Sequence, residues 1–448
     1  MENSNPLGER KIAKLLIQFS IPATVGMLVN TLYNIVDRIY IGNSPDMGSN
    51  GIGGITLVFP IMIILMAMGM LFGVGGATLF SIRLGERKKE EAENVLGNAF
   101  VMLMIAGCTF MILGQLLLKP ILLSFGAGDD ILPYALDYAR VILFGAVFQV
   151  VGMGMNNFIR ADGSPAIAML TMIIGAGANI ILDPIFIFVF GMGITGAALA
   201  TILSQAFSCT WVVLYLIGKR SRNKLRLSYM KLKLSIVARI ASFGLPGALM
   251  QLANSVLNVV LNRSLIAYGG DIAISAMGII NSLQMFLVMP VIGINQGAQP
   301  IISFNFGAKK YSRIKETVKL AIISATVIVT LGYLLVRIFP VQMVSLFNRE
   351  PALLDFGKNA ILTWMMFLPV VGFQVVASNF FQAIGRYKTA MFLTLTRQII
   401  FLIPAVLIFS RIWGINGLLH AAPFADALSF ILTGVWFYFG IRKLGKET

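Results

Sequence analysis

Runs of apolar residues, each long enough to cross a lipid bilayer, alternate with short polar segments from one end of the chain to the other. An apolar helix of about 20 residues crosses the ~30 Å hydrocarbon core, because each residue rises about 1.5 Å. Read in this way, the pattern predicts twelve membrane helices, at residues 15–40, 52–80, 94–118, 132–158, 166–190, 194–217, 240–267, 272–303, 317–338, 358–384, 389–409 and 415–440. The longer stretches predict tilt, kinks or ends that protrude beyond the hydrocarbon. Composition agrees, since 57% of the 448 residues are hydrophobic and 12% charged, with mean hydropathy +0.85. A soluble domain of this size needs more charge to cover its surface, so lipid is the expected solvent.

A formal charge of +16 would suggest nucleic acid if it formed one soluble patch, but it sits in the short connections and no nucleic-acid partner is expected. An even number of spans puts both termini on one side. If that side is the cytosol, it collects 26 of the 35 Lys and Arg residues, Arg83, Arg87, Lys88, Lys89, Lys309 and Lys310 among them. That is the bias of cytoplasmic loops. The opening MENSNPLGERKIAK has no cleavage pattern after a short apolar core and reads as a retained cytosolic tail. Cys108 and Cys209 both fall in apolar stretches and imply packing, not a disulfide framework.

The chain also repeats itself. Phe19-Ser20-Ile21-Pro22 is echoed by Phe243-Gly244-Leu245-Pro246, and Leu84-Gly85-Glu86-Arg87 by Phe306-Gly307-Ala308-Lys309. Asn157-Phe158 with Gly163 returns as Asn379-Phe380 with Gly385, and Gly193-Ile194-Thr195-Gly196 as Gly414-Ile415-Asn416-Gly417. Six spans per copy is an even number, so both copies enter the membrane from the same side. The expected fold is an all-α polytopic membrane protein with 12 transmembrane helices in two six-helix lobes, related by a pseudo-two-fold axis along the membrane normal. The first lobe is placed at 1–217, a basic cytoplasmic linker at 218–239 and the second lobe at 240–448.

Ionisable groups at membrane depth are costly and therefore mark function. Three carboxylates qualify: Asp37 in span 1, Asp183 in span 5 and Asp426 in span 12. Span 1 carries Asn30, Tyr33, Asn34 and Asp37 at helical spacing, span 5 carries Asn179 and Asp183 followed by Pro184, and span 6 carries Thr201 and Gln205. Each set lies on one helix face. If these faces meet, their oxygen atoms suit a hard monovalent cation, or the two carboxylates share a proton. Other readings stand beside this one: Asn30 and Asn34 gluing helices together, Asp37 pairing with Arg38, and Asp426 serving local hydrogen bonding or a secondary ion or substrate contact. Spans 7 to 11 carry many Asn and Gln residues, Asn254, Asn258, Asn262, Asn281, Gln374 and Asn379 among them, but no carboxylate at depth. Arg263 and Arg397 are cations in apolar stretches, and Arg397 is expected to neutralise a carboxylate or helix end, or to snorkel. His420 is the only histidine and too isolated for a metal site. Walker, serine-nucleophile and zinc patterns are missing, so no enzyme activity is expected and energy must come from an ion gradient or another protein.

By these residues the chain resembles the multidrug and toxic compound extrusion family, in its MepA-like and DinF-like bacterial branch. The resemblance rests on Pro22 with the Asn34-to-Asp37 stripe, Gly73-Val74-Gly75-Gly76-Ala77, Asn157-Phe158-Ile159-Arg160-Ala161-Asp162-Gly163, and Asn179-Ile180-Ile181-Leu182-Asp183-Pro184 before Gly196-Ala197-Ala198. It implies a secondary active multidrug exporter that exchanges Na⁺ or H⁺ for organic cations and amphipathic drugs by rocking of two lobes, with no other cofactor. It also implies a coupling site at Asp37, Asn179, Asp183 and Thr201, with Tyr33 and Tyr138 as hydrogen-bond partners and Asn30, Asn34, Asn157 and Gln205 near substrate or behind the site. Expected surroundings are the lipids of a bacterial or archaeal cytoplasmic (inner) membrane, and the expected state is a monomer. The competing class is a lipid-linked oligosaccharide flippase of the same broad superfamily.

Overall fold

A computed structural model describes residues 6–42, 48–125, 128 and 130–445 of the chain, and every regular element among them is helical. In chain order these are α1 (Pro6–Glu9), α2 (Ile12–Gly42), α3 (Gly48–Gly85), α4 (Lys89–Ser124), α5 (Leu132–Phe144), α6 (Ala146–Ala161), α7 (Pro165–Pro184), α8 (Gly193–Ile217), α9 (Leu234–Gly307), α10 (Tyr311–Ile338), α11 (Pro340–Ser345), α12 (Pro351–Trp364), α13 (Leu368–Ala383), α14 (Tyr387–Leu395) and α15 (Ile403–Lys443). A π-helical turn, Ile185–Val189, continues α7, and another, Thr396–Leu402, joins α14 to α15. Eight helical segments are long and apolar enough to cross a membrane, or ten if each of two bent pairs counts as one span. Their outer faces carry residues such as Leu116, 73% exposed, and Val189, 75% exposed. Water would penalise that surface and lipid does not. The chain is an all-α, multi-pass membrane protein.

Each apolar stretch lies on helix to within a residue of its ends, but two are not continuous. Residues 132–158 are broken between α5 and α6 by a bend of 54°, and 358–384 between α12 and α13 by a bend of 45°. At the first break Gly145 sits so close to Ile202 that a Cβ would collide with it. At the second, Pro369 is the second residue of α13, where its missing N–H costs nothing. Two further breaks divide the longest helices, at Gly270 (φ 63°) in α9 and Gly414 (φ 60°) in α15. Left-handed backbone of this kind strains any residue with a Cβ.

The backbone carries the repeat seen in the sequence. Positive φ occurs at Arg87 and Lys309 (62° and 56°), at Gly163 and Gly385 (95° and 77°), and at Gly193 and Gly414 (54° and 60°). Each pair is a repeat pair, so the two halves turn at matched places. By packing, the chain forms two compact units that do not divide at the linker: one holds Val25–Gln251, the other Leu7–Thr24 with Leu252–Thr448. The cause is a pair of close backbone approaches at repeat positions. In the first unit a Cβ on Gly75 would strike the Ile240 carbonyl and one on Gly244 the Leu71 carbonyl, so the start of α9 lies against α3. In the second unit Gly297 meets Ser20 and Phe19, so the start of α2 lies against the later part of α9.

The basic linker is pinned to the first unit by buried polar side chains, Asp162 foremost. Asp162, 1% exposed, accepts hydrogen bonds from Tyr215 Oη (3.0 Å), Ser221 Oγ (3.1 Å), the Arg222 N–H (3.0 Å), the Asn223 N–H (3.2 Å) and Asn223 Nδ2 (2.7 Å). Burial raises this carboxyl above its ordinary pKa, and the donated hydrogen bonds oppose that rise. Buried Glu93 accepts from the Lys224 N–H, and Asn98 Oδ1 accepts from the Lys233 N–H at 2.8 Å.

Candidate functional site

Helical spacing gives α2 a stripe of Asn30, Tyr33, Asn34 and Asp37, α7 the pair Asn179 and Asp183, and α8 the pair Thr201 and Gln205. All lie in the first compact unit. Asp183 is completely buried, and Asn179 Nδ2 donates to its Oδ1 at 3.1 Å. The Asp183 carboxyl also lies within side-chain hydrogen-bonding range of Asp37. A link between two carboxyls needs a proton or a cation, because ionised carboxylates only accept. Tyr33 and Tyr138 both stand near this pair, and buried Tyr138 is bonded to the Thr201 side chain. Thr201 Oγ1 in turn donates to the Ala197 carbonyl at 3.0 Å, which fixes its lone pairs toward Tyr138 and its surroundings.

Two oxygens of this cluster, Asp183 Oδ2 and Asn179 Oδ1, are buried and receive no donor from the described residues. An acceptor left in that state costs on the order of 1–3 kcal/mol. Their chemistry fits a proton or a hard cation, which prefers carboxylate, amide and hydroxyl oxygens. Behind them Pro184 has no N–H to give its helix, and the π-helical turn begins at the next residue. A π turn placed beside a buried carboxylate is a frequent mark of a functional helix.

The structure thus gathers Asp37, Asn179, Asp183, Tyr33, Tyr138 and Thr201. Asn30 and Asn34 occupy the exposed part of the α2 stripe, where Asn34 Nδ2 donates to the Asn30 carbonyl at 2.6 Å and the Asn34 side chain bonds Tyr33. Gln205 is half-buried one turn beyond Thr201, with Oε1 buried and without a hydrogen-bond partner among the described residues. Asn157 is engaged elsewhere: its Oδ1 accepts from Arg160 Nη2 at 2.7 Å, and its Nδ2 turns back to Met153 O at 3.1 Å. The side chain of Arg38, the other partner weighed for Asp37, lies outside the described residues.

Sequence reasoning left two sites open or unseen. Arg397, expected to meet a carboxylate, a helix end or an interface, meets the carboxylate of Asp426. The Asp162 anchor of the linker went unseen because its donors come from residues 53 to 61 positions away. The run Asp162-Gly163-Ser164 between two spans was its sole local signal.

The MatE family pattern matches residues 22–185 and 246–407, one copy in each half. The multidrug export protein MepA of Staphylococcus haemolyticus is 28% identical over 424 residues, covering 95% of this chain and 93% of the relative. Among solved structures, an outward-facing multidrug resistance MATE family transporter of the MOP superfamily is similar with TM-score 0.93, 27% identity and full coverage of both chains. A crystal structure of MATE in complex with MaL6 matches with TM-score 0.93, 28% identity and full coverage of both chains. Two repeats, matched turns and the carboxylate cluster on α2, α7 and α8 have one common explanation: the chain belongs to the MatE family of membrane transporters.

Proposed function

We propose that this chain is a secondary active multidrug exporter working by alternating access, and that the Asp37–Asp183 pair is where its driving cation, Na⁺ or H⁺, binds. The observation that carries this reading is the contact of two carboxyls beside two buried oxygens, Asp183 Oδ2 and Asn179 Oδ1, that receive no donor from the described residues. Multidrug export by relatives of full-length similarity supports the substrate class, organic cations and amphipathic drugs. The coupling follows from charge. With a cation or proton between the carboxyls the cluster is neutral; without it, two negative charges repel at short range and attract a cationic drug instead. Ion and drug therefore disfavour one another, and each pulls the protein toward a different state. The turn after Pro184 supplies a helix that can deform as the pair changes charge.

In this reading Thr201 and Asn179 complete the ion's oxygen set, and Tyr33 and Tyr138 hold the carboxyls in place. Asn30, Asn34 and Gln205 face the drug, and Asn157 sets the buried Arg160. The two bent pairs count as one span each and the breaks at Gly270 and Gly414 divide two more, giving twelve spans. Repeats 1–217 and 240–448 supply the two lobes that rock, with Leu7–Thr24 belonging to the second lobe and 218–251 to the first. Both termini face the cytosol of a bacterial-type inner membrane, the chain acts as a monomer among lipids, and it has no nucleic-acid partner. The test is efflux of a cationic dye from proteoliposomes under separately imposed Na⁺ and pH gradients. One of the two gradients should drive export by the native chain, and Asp183→Asn should lose it while eluting as a folded monomer. Unchanged dye export by that variant overturns the proposal.

A further inference from the structure

The second unit contains its own polar cluster at membrane depth. Asp426, 4% exposed, accepts a hydrogen bond from Arg397 Nε on its Oδ1, and Arg397 Nη2 forms an ion pair with the same oxygen, each at 2.7 Å. Arg397 Nη1 donates to Gln398 Oε1 at 3.2 Å, and Gln398 Nε2 donates to Asn254 Oδ1. Gln374 Nε2 donates to the Asp426 carbonyl at 2.7 Å and fixes that turn of α15. Arg397 and Gln398 stand in the π-helical turn Thr396–Leu402, whose extra residue per turn re-aims side chains. Among the described residues Arg397 is the charged group that faces Asp426.

The repeat shows what this cluster corresponds to. Asp426 lies nine residues after Gly417, as Gln205 lies nine after Gly196, and Asn254 lies eight after Pro246, as Asn30 lies eight after Pro22. The second half has therefore moved its carboxylate to the Gln205 position, put Leu261 at the Asp37 position, and added an arginine. We propose that Arg397 is a resident cation: it occupies Asp426 permanently, so that the second half holds by a covalent tether the charge that the first half takes up reversibly. A guanidinium stays protonated at any physiological pH. Neither a Na⁺ nor a pH gradient can then displace it by mass action alone, and Arg397 becomes the residue that confines the exchangeable ion to one lobe.

This inference rests on the Asp37–Asp183 reading, and the test separates the two. The melting temperature of the purified full chain is followed across Na⁺ concentration and across pH. The native chain should be stabilised by its coupling ion, and Asp183→Asn should not. Asp183→Asn/Arg397→Gln should regain ion-dependent stabilisation, because Asp426 is then open to a cation, and adding Asp426→Asn should remove it. An ion-independent double variant, or a triple variant that keeps the response, overturns the proposal. Persistence of the response in Asp183→Asn alone overturns the first-half site. The proposal is then judged in the otherwise native chain, where Arg397→Gln must add a second ion-dependent increment. If Arg397→Gln fails to fold, Arg397→Gln/Asp426→Asn decides, since it carries no buried charge. It should keep the native ion midpoint, and a shift beyond about threefold contradicts a cluster that never exchanges ions.

Discussion

The two halves of this protein turn at the same places and pack a glycine against a helix start at matched places, yet their buried charges differ. In the first half two carboxyls meet beside Asn179 and Thr201. In the second half one carboxylate, Asp426, is held by Arg397 through a hydrogen bond from Nε and an ion-pair contact from Nη2, each at 2.7 Å. Burial of charge is expensive in both, but the compensation differs: the exchangeable ion we propose in one, a tethered guanidinium in the other. Sharing a fold therefore does not require sharing a task. A duplicated scaffold can keep its backbone while its chemistry becomes one-sided.

The largest effect expected is on transport. Asp37→Asn should abolish gradient-driven dye efflux as fully as Asp183→Asn, and the double variant should be no worse than either, since one shared ion is lost once. Additive losses in the same vesicle assay would show two independent sites. Next in size is stability of the second half. Arg397→Ala leaves a buried carboxylate unpaired and should cost about 3–5 kcal/mol, whereas Arg397→Gln/Asp426→Asn should cost clearly less. Thermal unfolding in detergent checks the order. Smaller again are the repeated backbone approaches: Gly75→Val and Gly297→Val should each destabilise by about 1–3 kcal/mol through overpacking, and by similar amounts. A large difference would show that the halves are less alike in packing than in backbone. The smallest effect on transport belongs to Asp162→Ala, which removes the anchor of residues 221–223 and should speed proteolysis in the linker more than it slows efflux.

Much of this was legible in the sequence, for physical reasons that also mark the limits. Span positions follow from the transfer of about 20 apolar side chains into lipid, a local sum that hydropathy reads directly. The repeat was visible because left-handed turns demand glycine at Gly163, Gly193, Gly385 and Gly414. The stripe ending at Asp37 and the Asn179–Asp183 pair were visible because residues three and four apart share a helix face. The bends at Gly145 and before Pro369 were not, because hydropathy is blind to direction. Nor was the grouping of Leu7–Thr24 with the second half, which depends on where Ser20 and Gly297 meet in space. The choice of Asp426 as the partner of Arg397 was hidden for the same reason: 29 residues separate them.

The central claim is that the exchangeable cation belongs to the first half alone, and counting bound coupling ions per purified chain tests it most directly. The account predicts that the cation bound by the native protein is lost in Asp37→Asn and in Asp183→Asn and retained in Arg397→Gln/Asp426→Asn. Retention in the first two variants, or loss in the last, would contradict it.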